Sequence, residues 1–312
     1  MENQNQLCCI CDSEHSLIEV KEKWICEDCL HAGNEKLVFP WKNVLEKLMK
    51  EYSESCSKFI ASYDPREIHK AKIVGKKIST IFEFLGVPKK QSIFHAFRKM
   101  NQVLSKLRVL DVLLDEMLGQ TEEKIVYNEM VRLIRKNQKK LHKLVTEEFP
   151  AIMNESFFEK IELFLHKELK SYVLPLERKT GLVEYEERFI RLQEHYHQSA
   201  KEKGKTALET VESIQSVRKI AKSLRYLFNI LNEIFGENYQ DKETYYKSLQ
   251  LQLSKIRDVE DWLQQIKKFQ NKIDAPKKEI QNVKKELKAR LKQLLEEVEL
   301  PEMSVDGTVE SH

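Results

Sequence analysis

From Trp41 onward the chain is written in helical periods, with apolar positions three or four residues apart and polar positions between them. Trp41, Val44, Leu45, Leu48, Met49 and Phe59 mark a first amphipathic helix over about residues 41–62. The same period continues from Pro65 to about Leu300, interrupted at Gly86–Pro88, Gly119–Thr121, Pro150, Pro175, Gly181, Gly204, Gly236–Glu237 and Ala275–Pro276. Glycine closing one helix and proline opening the next predict a stop at each of these places. Ahead of residue 40 the rhythm changes: SEHSLIEVKEKWI alternates with a period of two and predicts a short hairpin. The pattern predicts an all-α protein. A small module spans 1–40, a helical domain spans 41–300 with halves of about 41–180 and 181–300, and an acidic, disordered tail spans 301–312.

The helical part repeats itself. IHKAKIVGKKISTIFEFLG (68–86) aligns without gaps to IQSVRKIAKSLRYLFNILN (214–232), pairing Ile68 with Ile214, Lys76 with Lys222, Phe82 with Phe228 and Leu85 with Leu231. LSKLRVLDVLL (104–114) aligns to LSKIRDVEDWL (253–263) at nearly the same offset, pairing Arg108 with Arg257. Two blocks at one offset predict an internal duplication: two pseudo-symmetric helical bundles of about 145 residues each.

On a helical wheel, Ala71, Val74, Gly75, Ile78, Ile81, Phe82 and Leu85 fall within an arc of about 120°. His69, Lys72, Lys76 and Ser79 lie opposite. In the second copy Val217, Ile220, Ala221, Leu224, Leu227, Phe228 and Leu231 form the apolar arc, and Gln215, Arg218, Lys222 and Arg225 the opposite face. A third helix, NEMVRLIRKNQKKLHKL (128–144), carries Arg132, Arg135, Lys139 and His142 along one side. A charged face is ordinarily just a solvated one. Here the cations recur at i, i+3 and i+7 with no acidic partner at those steps, so they repel one another. An anionic polymer would neutralise such rows, each contact being favoured by counterion release.

Composition narrows the picture. The net charge is only +3, from 53 Lys and Arg against 50 Asp and Glu, so any basic surface must arise by local segregation. There are only 8 Gly and 7 Pro, too few for the turns of a sheet protein. The opening MENQNQ has no features of a signal peptide, and no apolar run reaches the length of a membrane span. Five of six cysteines crowd into residues 8–29, which indicates a reducing, cytoplasmic compartment rather than a disulfide framework. Cys8-x-x-Cys11 and Cys26-x-x-Cys29, fourteen residues apart, form a pair of knuckles suited to a structural Zn2+. Ile10 and Trp24 supply apolar cover, Cys9 could replace Cys8 as a ligand, and His15 and His31 are spare candidates.

These residues together resemble the CHAD family, histidine-containing α-helical domains built on a repeated pair of motifs. His69, Lys72, Lys76 and Lys77 match the first motif, and Arg108 and Asp111 the second. Arg218, Lys222, Arg225 and Tyr226, then Arg257, Asp258 and Glu260, match their repeats. The resemblance covers about residues 58–295. It departs from the pattern at Gln215, where the repeat has histidine, at Val109, and at several lysines that stand for arginines. It implies two bundles around a basic cavity that holds inorganic polyphosphate, without catalysis, and localisation at polyphosphate granules. The residues implied in binding are His69, Lys72, Lys76, Lys77, Arg108, Arg218, Lys222, Arg225 and Arg257, to which the cationic row adds Arg132, Arg135 and Lys139.

Two other readings compete. One is a zinc-ribbon nucleic-acid binder, for which Tyr226 is the clear stacking position. The other is an accessory domain of a triphosphate- or polyphosphate-metabolising enzyme. The Glu184-Tyr-Glu186-Glu-Arg188 run looks like the alternating strand of such enzymes but sits in a helical stretch. No phosphate-cradling glycine loop, nucleophile elbow or HExxH motif is present.

Overall fold

The computed structural model describes residues 7–9, 11–20, 23–119, 124–236 and 238–300. Ile10 and the tail at 301–312 lie outside the described residues. The chain opens with strands β1 (Leu17–Val20) and β2 (Lys23–Cys26), paired antiparallel with Leu17 opposite Cys26 and Val20 opposite Lys23. Helix α1 (Glu27–Gly33) and a π-helical turn (Asn34–Val38) lead into α2 (Phe39–Ser62). Then come α3 (Pro65–Phe84), α4 (Ser92–Leu118), α5 (Ile125–Ile152), α6 (Glu155–Leu163), a second π-helical turn (Phe164–Glu168) and α7 (Lys170–Val173). Helices α8 (Arg178–Lys203), α9 (Leu208–Phe235), α10 (Gln240–Phe269) and α11 (Lys277–Glu296) complete an all-α body. The order α2–α5 recurs as α8–α11, with the two repeat blocks on α3 and α9 and on α4 and α10.

Local chemistry sets these elements. Tyr63 turns left-handed at the end of α2, its N–H donating to Phe59 O. Asp64 then caps α3, its carboxylate accepting from Arg66 N at 2.9 Å, with Pro65 pre-set for the first turn. Gln91 Oε1 accepts from Ile93 N at 2.7 Å and so opens α4. Two of the expected interruptions are not breaks. Pro150 lies inside the last turn of α5, where it forgoes the bond to the carbonyl four residues back, yet the helix runs on to Ile152 and Met153 N still reaches Phe149 O. Gly181 lies in the first turn of α8, where a Cβ would stand 3.2 Å from Phe84 Cε2. Its role is close packing, and the actual break is at Pro175.

The chain forms two compact units. The first comprises residues 1–104, 146–181 and 230–237, and the second 105–145, 182–229 and 238–312. In the first, Phe82 packs edge-on against Phe94 and Phe164, each 5.3 Å away, while Trp41 meets Phe84 and Phe235 at about 6 Å. In the second, Leu110, Met117, Met130, Ile134, Trp262, Ile266 and Val283 form one buried cluster. Phe228 stacks on Tyr246 beside it. Burial at this density supplies the stability of each unit, at roughly 1.5–3 kcal/mol per large apolar side chain. Every residue assigned to the apolar arcs of α3 and α9 is buried. The opposite faces of those helices are therefore fixed relative to the core.

Candidate anion-binding faces and a candidate metal centre

On α3, His69 is exposed and Lys72, Lys76 and Lys77 are half-buried. Ser79, the fourth residue of that face, is buried and donates to Gly75 O at 2.8 Å. Lys76 has an acidic neighbour after all: Glu83, two turns on, stands 3.9 Å from its Nζ. The wheel had paired cations only with one another, and it overlooked a carboxylate that leans back along the helix.

In the second unit Arg218, Lys222 and Arg225 run along α9, half-buried. The Arg225 guanidinium lies 5.0 Å over the Tyr226 ring and Lys222 Nζ lies 5.8 Å from the same ring. Arg225 Nη1 donates to Gln250 Oε1 on α10 at 2.9 Å. Arg218 Nε donates to Gln215 Oε1 at 2.9 Å, and Gln215 Nε2 donates to Glu260 Oε2 at 2.5 Å. Arg257 approaches the same group but is tied by its Nη2 to Asp261 Oδ1 at 2.6 Å. Burial, and next the nearby Arg257 charge, lower the Arg218 pKa from its usual value. Burial likewise raises that of Glu260. The cluster thus mixes two arginines with Asp258, Glu260 and Asp261, bridged between α9 and α10 by Gln215.

Arg108 is half-buried on α4. On α5, Arg132, Arg135 and Lys139 are all exposed along an open groove of about 470 Å³ shared with Lys136 and Val131. Arg132 is not a bare cation: its Nη2 donates to Glu129 Oε2 at 2.7 Å and its Nε to Glu129 Oε1 at 3.1 Å. His142 is half-buried, and burial lowers its pKa. The Glu184–Arg188 run is helical, within α8, and Glu186 accepts from Lys242 Nζ at 2.7 Å.

At the N-terminus, Cys8, Cys11, Cys26 and Cys29 converge, their sulfurs all within 4.8 Å of one another. Cys11 Sγ and Cys26 Sγ are 3.6 Å apart. Four thiolates bound to one tetrahedral ion at ~2.3 Å would stand roughly 3.8 Å from each other, so the set fits a metal. Asp12 turns left-handed just after the first pair, its N–H donating to Cys8 O, while Cys29 N donates to Cys26 Sγ at 3.4 Å. Contact with the Cys11 sulfur, more than burial, pushes the Cys29 thiol well above its usual pKa. Four such groups do not ionise together without a cation among them. Cys9 is exposed and outside the group, as are His15 and His31. Ile25 is fully buried, whereas Trp24 is half-buried. The module is latched to the helical body by Lys23, whose Nζ donates to Pro175 O at 3.1 Å and Glu177 Oε1 at 2.7 Å. No feature of the sequence pointed to that latch or to Gln250.

A family model described as the CHAD domain matches residues 44–267, well over half of the chain, and the chain belongs to that family. A solved structure described as the CHAD domain from the plant Ricinus communis is similar to it in fold. The TM-score is 0.59 at 13% sequence identity, covering 83% of this chain and 91% of that one. No curated protein matches the chain. Among the described residues no helix is long and apolar enough to cross a membrane.

Proposed function

We propose that this protein binds inorganic polyphosphate, or a polyanion of the same repeating charge, through the cationic faces of α3 and α9, and that it performs no catalysis. The observation that carries the reading is the α9 face. Three cations, Arg218, Lys222 and Arg225, are held in a row against a buried back, at a cost in repulsion and desolvation that a phosphate chain would relieve. Zinc is the metal that four convergent thiolates favour, as a closed structural site with no position open for a substrate. The nucleic-acid reading is disfavoured by Tyr226, which at 3% exposure has no free face on which a base could stack. Residence in the cytoplasm, at polyphosphate granules, follows as part of the same proposal.

The test is a titration of long-chain polyphosphate, pyrophosphate and single-stranded RNA at several salt concentrations. Long polyphosphate should bind tightest, and its affinity should fall steeply with salt. The double variant Lys76→Glu, Lys222→Glu should bind at least about tenfold more weakly while retaining its helix content by circular dichroism. Equal affinity for RNA, or a double variant that binds as the parent does, would return these faces to the status of solvated surface.

A further inference from the structure

The cations along these helices are held in two chemically different ways. Arg132 and Arg257 are tied to carboxylates, Glu129 and Asp261, at 2.7 and 2.6 Å. Such a pair fixes the guanidinium and cancels its charge. Arg225 and Arg218 are tied instead to amide oxygens, those of Gln250 and Gln215. An amide oxygen accepts one N–H and leaves the full positive charge and the remaining donors of the fork available. The Arg225 Nε is buried with no hydrogen-bond partner. Arg218 has Asp258, Glu260 and Asp261 nearby as well as Arg257. Gln215 stands between Arg218 and Glu260, spending one lone pair of that carboxylate on its own Nε2.

The two halves of the chain differ at these positions. In the repeat, Arg225 stands where the first half has Ser79, and Gln250 where it has Asn101. Asn101 Nδ2 donates to Gly75 O at 3.0 Å and lies 3.4 Å from Ser79 Oγ. The first half thus uses this crossing for a neutral contact, while the second uses it to hold a guanidinium. The two copies thus pair a serine with an asparagine in one half and an arginine with the longer glutamine in the other.

Building on the polyphosphate reading, we infer that Gln250 is a positioning residue of the α9 face, holding Arg225 as an un-neutralised guanidinium for the non-bridging oxygens of a phosphoryl group, whereas Arg218 shares its surroundings with three carboxylates. The α9 face would then read phosphoryl geometry, whereas the α3 face, with Lys72, Lys76 and Lys77, offers point charges that attract without orienting.

The experiment uses the full chain. Gln250→Glu keeps the length and the accepting oxygen but adds the neutralising charge. It should lower affinity for long-chain polyphosphate about tenfold and flatten the log–log salt dependence by about one. Gln250→Leu leaves the charge but releases the fork, so it should weaken binding with the salt slope retained. Arg66→Gln, at an exposed cation paired to Asp64 at 2.8 Å and outside these faces, should change neither. Melting curves check that each variant folds. A second readout does not depend on polyphosphate: the side-chain Nε–Hε resonance of Arg225 is followed while pyrophosphate is added. It should move in the parent and stay still in Gln250→Glu. If the parent binds no polyphosphate, the proposed function fails and the resonance alone decides the inference. A Gln250→Glu protein with parental affinity and slope, or an Arg225 resonance indifferent to pyrophosphate in the parent, overturns the positioning role.

Discussion

Replacing Cys26 with serine is the sharpest test of how the N-terminal module holds together. Among the described residues from 7 to 33, the buried apolar set is small: Cys8, Ile25 and Cys26, two of them candidate ligands. A single isoleucine contributes about 2 kcal/mol. Two strands of four residues cannot stand alone in water. A structural zinc contributes about 10–16 kcal/mol in comparable peptides at neutral pH, so the metal decides whether this module folds. Removing the Cys26 thiolate also removes the acceptor for Cys29 N. The parent should therefore carry one equivalent of zinc by elemental analysis and the variant none. The segment before Phe39 should become open to protease. The body should keep its helical signal and its melting temperature to within a few degrees, since the Lys23–Glu177 latch is solvent-exposed and such pairs contribute little. A variant that keeps its metal would refute the four-thiolate assignment. A variant whose helices melt with the module would refute its independence.

Three further outcomes follow from the packing. Gly75→Ala places a Cβ 2.1 Å from Asn101 Oδ1, within a side chain already anchored by hydrogen bonds, and should cost about 1–3 kcal/mol in a denaturant titration. Asp64→Ala removes the acceptor for Arg66 N and should speed hydrogen exchange at that amide while leaving the middle of α3 protected. His69→Gln gives the first half the residue its repeat already has. In the parent, polyphosphate affinity should rise as pH falls through the ordinary histidine range near ~6.5, because a polyanion favours the protonated ring. The variant should lose that pH term and keep most of its affinity at high pH.

The apolar arcs of α3 and α9 were legible because burial writes a 3.6-residue period directly into sequence, and the cysteine knuckles because four thiolates at that spacing have few other uses. Helix ends were less legible. Pro150 and Gly181 read as stops, yet α5 runs two residues past its proline, and a glycine against an aromatic ring is a packing residue. Partnerships between distant residues were not legible at all. Lys23 meets Pro175 and Glu177 across about 150 residues, with nothing local to announce it. Gln250 carries no charge and so leaves no mark on a wheel drawn to find cations. It becomes visible only through the bond that Arg225 makes to it.

The close approach at Gly75 also limits exchange between the halves. Its counterpart in the second half is Ala221, as that of Asn101 is Gln250. Alanine at 75 collides with Asn101 as it stands, so the alanine of one copy cannot be carried alone into the other. Each copy is tied to its own pair at this crossing, and a graft between the halves has to move both members together.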